Sequence, residues 1–123
     1  MHIGVVDDNP AVLSMIETAL ALHGHSVETF SNRLSFLSAL ERAERIPSFD
    51  LVLIDLFLES GSGIELIEAL RLVQPRAIPT ILISAAEETV LAPIRKRYPD
   101  LSILQKPFKM QELVSLINKT SSL

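Results

Sequence analysis

Two textures alternate along the chain, and that alternation limits the fold more than any other feature. Short apolar runs rich in β-branched residues stand at Ile3–Val6, Ser26–Phe30, Leu51–Leu56, Thr80–Ser84 and Ser102–Leu104. Between them lie longer segments whose apolar residues recur at helical spacing. Leu51-Val52-Leu53-Ile54 is apolar without alternation, as a strand covered on both faces should be. Five strands alternating with five helices predict an α/β fold, a parallel sheet with helices on both faces. A chain of 123 residues is long enough for one such domain with a real core and too short for two.

The helical segments carry their own punctuation. The first follows Asp8-Asn9-Pro10, where Asp or Asn can cap and proline suits the first turn. Val12, Leu13, Ile16, Ala19 and Leu20 fall on one face, and Gly24 stops the helix. The second runs from about Arg33 to Arg45, with Leu34, Leu37 and Leu40 as its stripe. The third opens at Ser62-Gly63 and carries Ile64, Leu66, Ile67, Leu70 and Val73. The fourth lies within Glu87–Tyr98, and the fifth starts near Lys109 and carries Leu113, Leu116 and Ile117. The polar tail from Lys119 to Leu123 is expected to fray, either as a natural end or as a cut before an output domain.

Composition removes several function classes. The richest apolar stretch, Ala77 to Ala86, has ten residues, well short of the roughly 18 that suggest a membrane span. The start reads as a strand rather than a basic leader, which argues for a cytoplasmic protein. With no cysteine there is no disulfide, thiol catalysis or Cys-ligated zinc. A net charge of −4 argues against binding of a nucleic-acid backbone by the domain as a whole.

Parallel α/β sheets bind ligands beyond the carboxyl ends of their strands. There the first strand offers Asp7-Asp8, the third Asp55, the fourth Ser84-Ala85 and the fifth Lys106-Pro107. Taken singly, Asp8 could cap a helix, Asp55 could end a strand and Lys106 could be solvated. Those readings do not explain why the residues converge on one rim. Three carboxylates against one ammonium leave a net charge of about −2, which a divalent ion can balance. Ligands that are all oxygen favour a hard cation such as Mg²⁺. Such a site suits a phosphoryl group: metal and lysine neutralise its oxygens, Ser84 donates to one, and a carboxylate is the nucleophile.

The order Asp-Asp, then Leu-Val-Leu-Ile-Asp-Leu, then Ile-Leu-Ile-Ser-Ala, then Lys-Pro-Phe resembles the response-regulator receiver family over essentially the whole chain. The 22-residue step from Ser84 to Lys106 fits it, as does Asp55-Leu-Phe-Leu-Glu-Ser-Gly-Ser-Gly63. The resemblance implies a flavodoxin-like three-layer sandwich with strand order 2-1-3-4-5. It implies that Asp55 is the phosphoacceptor. Asp8, Asp55 and the backbone carbonyl of Phe57 would bind Mg²⁺ or Mn²⁺, and Asp7 would act through a metal-bound water. Lys106 would pair with Asp55 and then with the phosphoryl group, Ser84 would be the switch hydroxyl, and small Ala85 would leave the approach open. It also implies a cis Lys106–Pro107 bond.

The implied partners are a histidine kinase or histidine phosphotransfer protein, and an output domain or protein reached through the fourth helix, fifth strand and fifth helix. A phosphorylation-linked homodimer is also compatible with the family. The domain would catalyse its own phosphorylation and dephosphorylation, its product being a conformation.

The chain departs from the family's pattern in places. Ile103 stands three residues before the lysine, where an aromatic ring often swings with the switch hydroxyl. Pro93 predicts an irregular segment from Glu87 to Ala92. Pro99-Asp100 replaces a common Gly-Ala, and Glu59 stands where proline is frequent. Phe57 and Ala86 border the approach of hydrolytic water and predict slow to moderate self-dephosphorylation. His23 and His25 read as solvated or dipole-complementing at a helix end. Arg95-Lys96-Arg97 reads as a solvated run on a helix that receivers use for output.

The altered output face leaves a second reading, a constitutive interaction module of the same fold. A free-standing phosphohydrolase is disfavoured because Asp-x-Asp is absent at Asp55-Leu56-Phe57. A nucleotide-binding domain is weaker still, since no Gly-x-Gly-x-x-Gly follows the first strand.

Overall fold

A computed structural model of the protein describes residues 1–41, 49–59, 61–73 and 78–121. The elements run β1 (His2–Val6), α1 (Pro10–Leu22), β2 (Ser26–Phe30), α2 (Arg33–Glu41), β3 (Leu51–Asp55), β4 (Phe57–Leu58), β5 (Gly61–Ser62), α3 (Gly63–Val73), β6 (Thr80–Ser84), α4 (Glu88–Arg97), β7 (Ser102–Gln105) and α5 (Met110–Ser121). Five strands form one parallel sheet in the order β2-β1-β3-β6-β7. Counting the sheet strands alone, this is the 2-1-3-4-5 order of a flavodoxin-like fold. The short β4 and β5 pair antiparallel outside the sheet. Two-residue strands are too short to leave a periodic signal, so nothing in the sequence marks this hairpin.

The continuous apolar strands divide between two cores by their period of two. Leu51 and Leu53 of β3 face α1 and α5, packing with Ile16, Leu20, Leu113 and Ile117. Val52 and Ile54 face the other side, with Phe36, Leu66, Ile67, Leu70 and Leu91 of α2, α3 and α4. Every residue of β3 is buried. In β1 the same side has Gly4, and the Phe49 ring fills the space where a side chain would stand, 3.0 Å from the position of a Cβ. Phe49 in turn packs on Phe30 and Phe36 and stacks on His2.

The caps follow from local chemistry. Asn9 caps α1, its side chain accepting from the Ala11 and Val12 N–H groups, with Pro10 at the first position. The helix closes through His25 N–H to Leu20 O and Gly24 N–H to Ala21 O, with Gly24 at φ +84°. That is a Schellman closure, and it needs the left-handed conformation glycine tolerates. His23 sits at this end and its Nδ1 donates to Ala19 O. The Lys106–Pro107 bond is cis.

Four expectations change. The stripe of α2 is centred on buried Phe36, Ala39 and Leu40, with Leu37 half-buried, and Leu34 is 70% exposed. The aromatic packing of Phe36 with Phe30 and Phe49 fixes the rotation of the helix and turns Leu34 outward. The extension of this helix to Arg45 lies outside the described residues.

The second change concerns Pro93, which stands inside a continuous α4 rather than after an irregular segment. Proline removes one hydrogen bond, to the Thr89 carbonyl, and both residues are exposed, so water replaces the lost donor. Buried Leu91 and Tyr98 and half-buried Ile94 anchor the helix on the other side. Third, Lys119–Ser121 are the last residues of α5, which Leu113 and Ile117 fasten to the core, while residues 122 and 123 of the expected tail lie outside the described residues. Fourth, Leu56 lies just outside β3 and begins the β4–β5 excursion.

Gly63 makes the tightest approach in the fold. A Cβ there would meet the Asp55 carbonyl oxygen at 2.2 Å, while the Gly63 N–H donates to Leu56 O at 2.7 Å. Gly63→Ala is therefore expected to cost about 3 kcal/mol or more, the upper end of overpacking. Gly24→Ala has open space and should cost about 1–2 kcal/mol from its backbone conformation alone. Urea denaturation compares the two, and equal losses would remove the close-approach argument.

Candidate functional site

The C-terminal edge of the sheet gathers the polar residues. Asp7 and Asp8 follow β1, Asp55 ends β3, Ser84 ends β6 and Lys106 follows β7. Residues spread over most of the sequence thus meet at one place because parallel strands end on the same side. Asp7, Asp8 and Asp55 each bring one carboxylate oxygen within 4.8 Å of the others. Asp7, Asp55 and Ser84 are buried and Asp8 is half-buried.

Lys106 Nζ stands between two of the acids. It donates to Asp7 Oδ2 at 3.2 Å and to Asp55 Oδ2 at 3.3 Å. Burial raises the Asp55 carboxyl above its ordinary pKa, the Asp7 charge adds to the rise, and Lys106 opposes it. Burial by itself would lower the Lys106 ammonium, but the charges of Asp55 and Asp7 outweigh it and leave it raised. Three carboxylates share one ammonium, so the site is short of positive charge. The donors are all oxygen, and no histidine joins them among the described residues. This set fits a hard divalent cation.

The remaining contacts fix the frame. Asp7 Oδ1 accepts the Asn9 N–H at 2.9 Å, and its own N–H donates to Phe30 O. Since Asn9 caps α1, Asp8 is free of that duty; its Oδ2 accepts the Glu59 N–H at 2.9 Å. Phe57 N–H lies 3.3 Å from Asp55 Oδ1, and the residue is 59% exposed. The Ser84 hydroxyl accepts the Ala86 N–H at 2.9 Å, and the Ser84 carbonyl accepts the Lys106 N–H at 2.8 Å. Ile103, on β7, is half-buried against the core shared with α3 and α4. An apolar groove of about 350 Å³, lined by Val12, Met15, Ala85, Lys106, Pro107 and Phe108, opens beside the lysine.

The acids and the lysine expected from the sequence meet here, and Ser84 ends the strand beside Asp55. Lys106 holds Asp7 as well as the expected Asp55. Glu59, expected to bear only on loop rigidity, donates its backbone N–H to Asp8. A backbone donor has no residue-type signature, so nothing in the sequence marks it.

Comparison with known proteins agrees with the geometry. Residues 3–118 match the response regulator receiver domain family. The KDP operon transcriptional regulatory protein KdpE of Escherichia coli is 36% identical over 111 residues, covering 89% of this chain and 46% of that protein. The CpxR homolog of Haemophilus influenzae is 30% identical over 113 residues, covering 92% and 47%. The chain thus spans about half the length of these relatives, and 23% of the transcriptional regulator NtrC of Azospirillum brasilense. Among solved structures, the chemotaxis protein CheY4 of Vibrio cholerae has a TM-score of 0.82 at 22% identity, covering 97% of each chain. A CheY-like receiver domain from Methanospirillum hungatei has a TM-score of 0.80 at 23% identity, covering 98% of this chain and 92% of that one. With the family match over nearly its whole length, the chain belongs to the receiver domains of two-component response regulators.

Proposed function

We propose that this receiver domain accepts a phosphoryl group on Asp55 from a phosphohistidine of a histidine kinase or phosphotransfer protein, and that the acyl phosphate switches a partner-binding surface. The observation that carries the proposal is the under-neutralised cluster of Asp7, Asp8 and Asp55 around one ammonium. Asp8, Asp55 and the Phe57 carbonyl would hold Mg²⁺ or Mn²⁺, with Asp7 acting through a water. When bound, the cation would supply positive charge to the phosphoryl oxygens and relieve repulsion among the carboxylates.

The chain's own residues account for the rest. An Asp55 carboxylate oxygen attacks phosphorus, an O–P bond forms, the P–N bond of the donor breaks, and its electron pair goes to the ring nitrogen, which leaves as neutral imidazole because the ring's other nitrogen carries a proton taken from water. Lys106, already beside Asp55, follows the negative charge onto the phosphoryl oxygens. Small, exposed Ala85 and the neighbouring apolar groove leave room for the donor. Hydrolysis then returns Asp55 by attack of water at phosphorus and release of inorganic phosphate.

The route outward begins at Ser84. Turning its hydroxyl toward a phosphoryl oxygen breaks the bond to Ala86 N–H, at the start of the segment leading into α4. Ile103 lies on the adjoining strand and repacks as an aliphatic residue, without a phenol to swing. Output through α4, β7 and α5 to an output domain, a protein partner or a second copy is consistent with this placement. Two populations biased by the new charge suffice.

Acetyl phosphate with Mg²⁺ is expected to add one phosphoryl group, seen by intact mass, and Asp55→Asn should abolish the adduct. An adduct that persists in the variant removes Asp55 from its role. Ala86 offers no carboxamide or acid to position water, and exposed Phe57 borders the same approach. The phosphorylated form should therefore decay slowly to moderately; loss within seconds, without a phosphatase, contradicts this.

The raised Asp55 carboxyl carries a sign for stability. Above both its folded and unfolded values, the shift disfavours the folded state, since that state binds the proton more tightly. Asp55→Asn should thus unfold at a higher temperature than wild type near neutral pH in EDTA. The difference should shrink as pH falls through the folded value and vanish below the ordinary carboxylate value. Mg²⁺ should stabilise wild type and leave the variant less affected. Thermal unfolding against pH, with and without Mg²⁺, measures both.

A further inference from the structure

Beyond the acidic residues, one cation stands in an unusual setting. Arg33 opens α2, where Asn32 fixes the first turn by accepting the Ser35 N–H at 2.8 Å and the Ser35 hydroxyl at 3.0 Å. The Arg33 guanidinium reaches across the β4–β5 hairpin to Glu65 in the first turn of α3. It lies directly over Gly61, where a Cβ would stand 2.6 Å from Nη1. Gly61 has no positive φ, so a side chain there would meet the guanidinium and oblige Arg33 to move, without straining the backbone. The Arg33 Nε is buried and has no hydrogen-bond partner among the described residues. An ordinary surface ion pair forfeits no donor in this way.

The hairpin under the guanidinium ties the acidic site together. Its root is held by Gly63 N–H on Leu56 O. Its tip donates the Glu59 N–H to Asp8 Oδ2. Between these points only Phe57 faces Ser62 and Leu58 faces Gly61. A hairpin that short has little stability of its own. Arg33 also lines a cleft with Asp8, Leu58 and Glu59, so clamp and carboxylate share one wall of the fold.

We infer that the Arg33–Glu65 pair is a positioning clamp, seated over Gly61, that holds the β4–β5 hairpin in the register from which Glu59 N–H orients Asp8 for the divalent cation. Arg33 and Glu65 act through the hairpin and touch neither cation nor phosphoryl group. The inference rests on the proposed cation site. Loss of either partner leaves the hairpin free to shift against Asp8. Loss of Glu65 also leaves the guanidinium without its carboxylate partner in the cleft that Asp8 lines.

Isothermal titration calorimetry with Mg²⁺ alone, on the full chain, tests this with Arg33→Gln, Glu65→Gln and the exchanged pair Arg33→Glu with Glu65→Arg. Both single variants should weaken Mg²⁺ binding by about tenfold, as outer-shell losses commonly do. Their thermal midpoints should fall only slightly, because the pair is partly exposed. Labelling by acetyl phosphate should then need more Mg²⁺ but reach the wild-type rate at saturation. The exchanged pair should recover part of the affinity. Glu65 is 59% exposed, so its variant folds whatever becomes of Arg33→Gln. Wild-type Mg²⁺ affinity in Glu65→Gln overturns the clamp, as does a loss in the single variants that saturating Mg²⁺ does not restore. If wild type binds no Mg²⁺, or Asp55→Asn still labels, the underlying cation and phosphoacceptor reading fails instead.

Discussion

The ammonium of Lys106, shared between Asp7 and Asp55, is the interaction around which the rest is arranged. One positive charge cannot satisfy three carboxylates, and burial makes the deficit expensive. The fold tolerates it because the acids stand at strand ends, where a stable sheet holds them regardless of mutual repulsion. Each acid is also braced by a backbone donor: Asn9 N–H for Asp7, Glu59 N–H for Asp8 and Phe57 N–H for Asp55. Stability is supplied by the two cores, and the rim is left electrostatically unfinished.

The division of labour is visible in the central strand. Leu51 to Ile54 serve both cores in alternation, and the next residue, Asp55, is the candidate nucleophile. A single strand therefore passes from pure packing to chemistry in one residue. Gly63 presses against the Asp55 carbonyl from the other side, so the backbone there has little freedom. The Asp55 carboxylate is aimed by a packed interior and not by a loop.

How much of this could be read in the sequence differs by physical type. The sheet strands were legible because a strand buried on both faces leaves an uninterrupted apolar run. The site was legible because its chemistry resides in side chains at the ends of those runs. Three things were not. Leu34 looked apolar enough for a core stripe, but Phe36 packs with two other rings and sets the rotation of α2. Pro93 looked like a helix breaker, but its missing donor faces water while Leu91 and Tyr98 hold the helix. The β4–β5 hairpin is made by backbone pairing and lies under an arginine 28 residues before Gly61, and neither has a local signature.

The edges of the sheet carry a consequence of their own. β2 lies on one edge and alternates exposed and partly covered residues, with Glu28 among them. β7 lies on the other and has four residues, ending in exposed Gln105. A short edge and an edge bearing charge are poor templates for strand addition. The central strand β3, apolar from Leu51 to Ile54, would be an aggregation hazard if it stood at an edge, but neighbours cover it on both sides. Association by sheet extension is thus discouraged at both margins. Helix faces and the loops at the acidic rim are left as the surfaces on which another protein can be met without threatening the sheet.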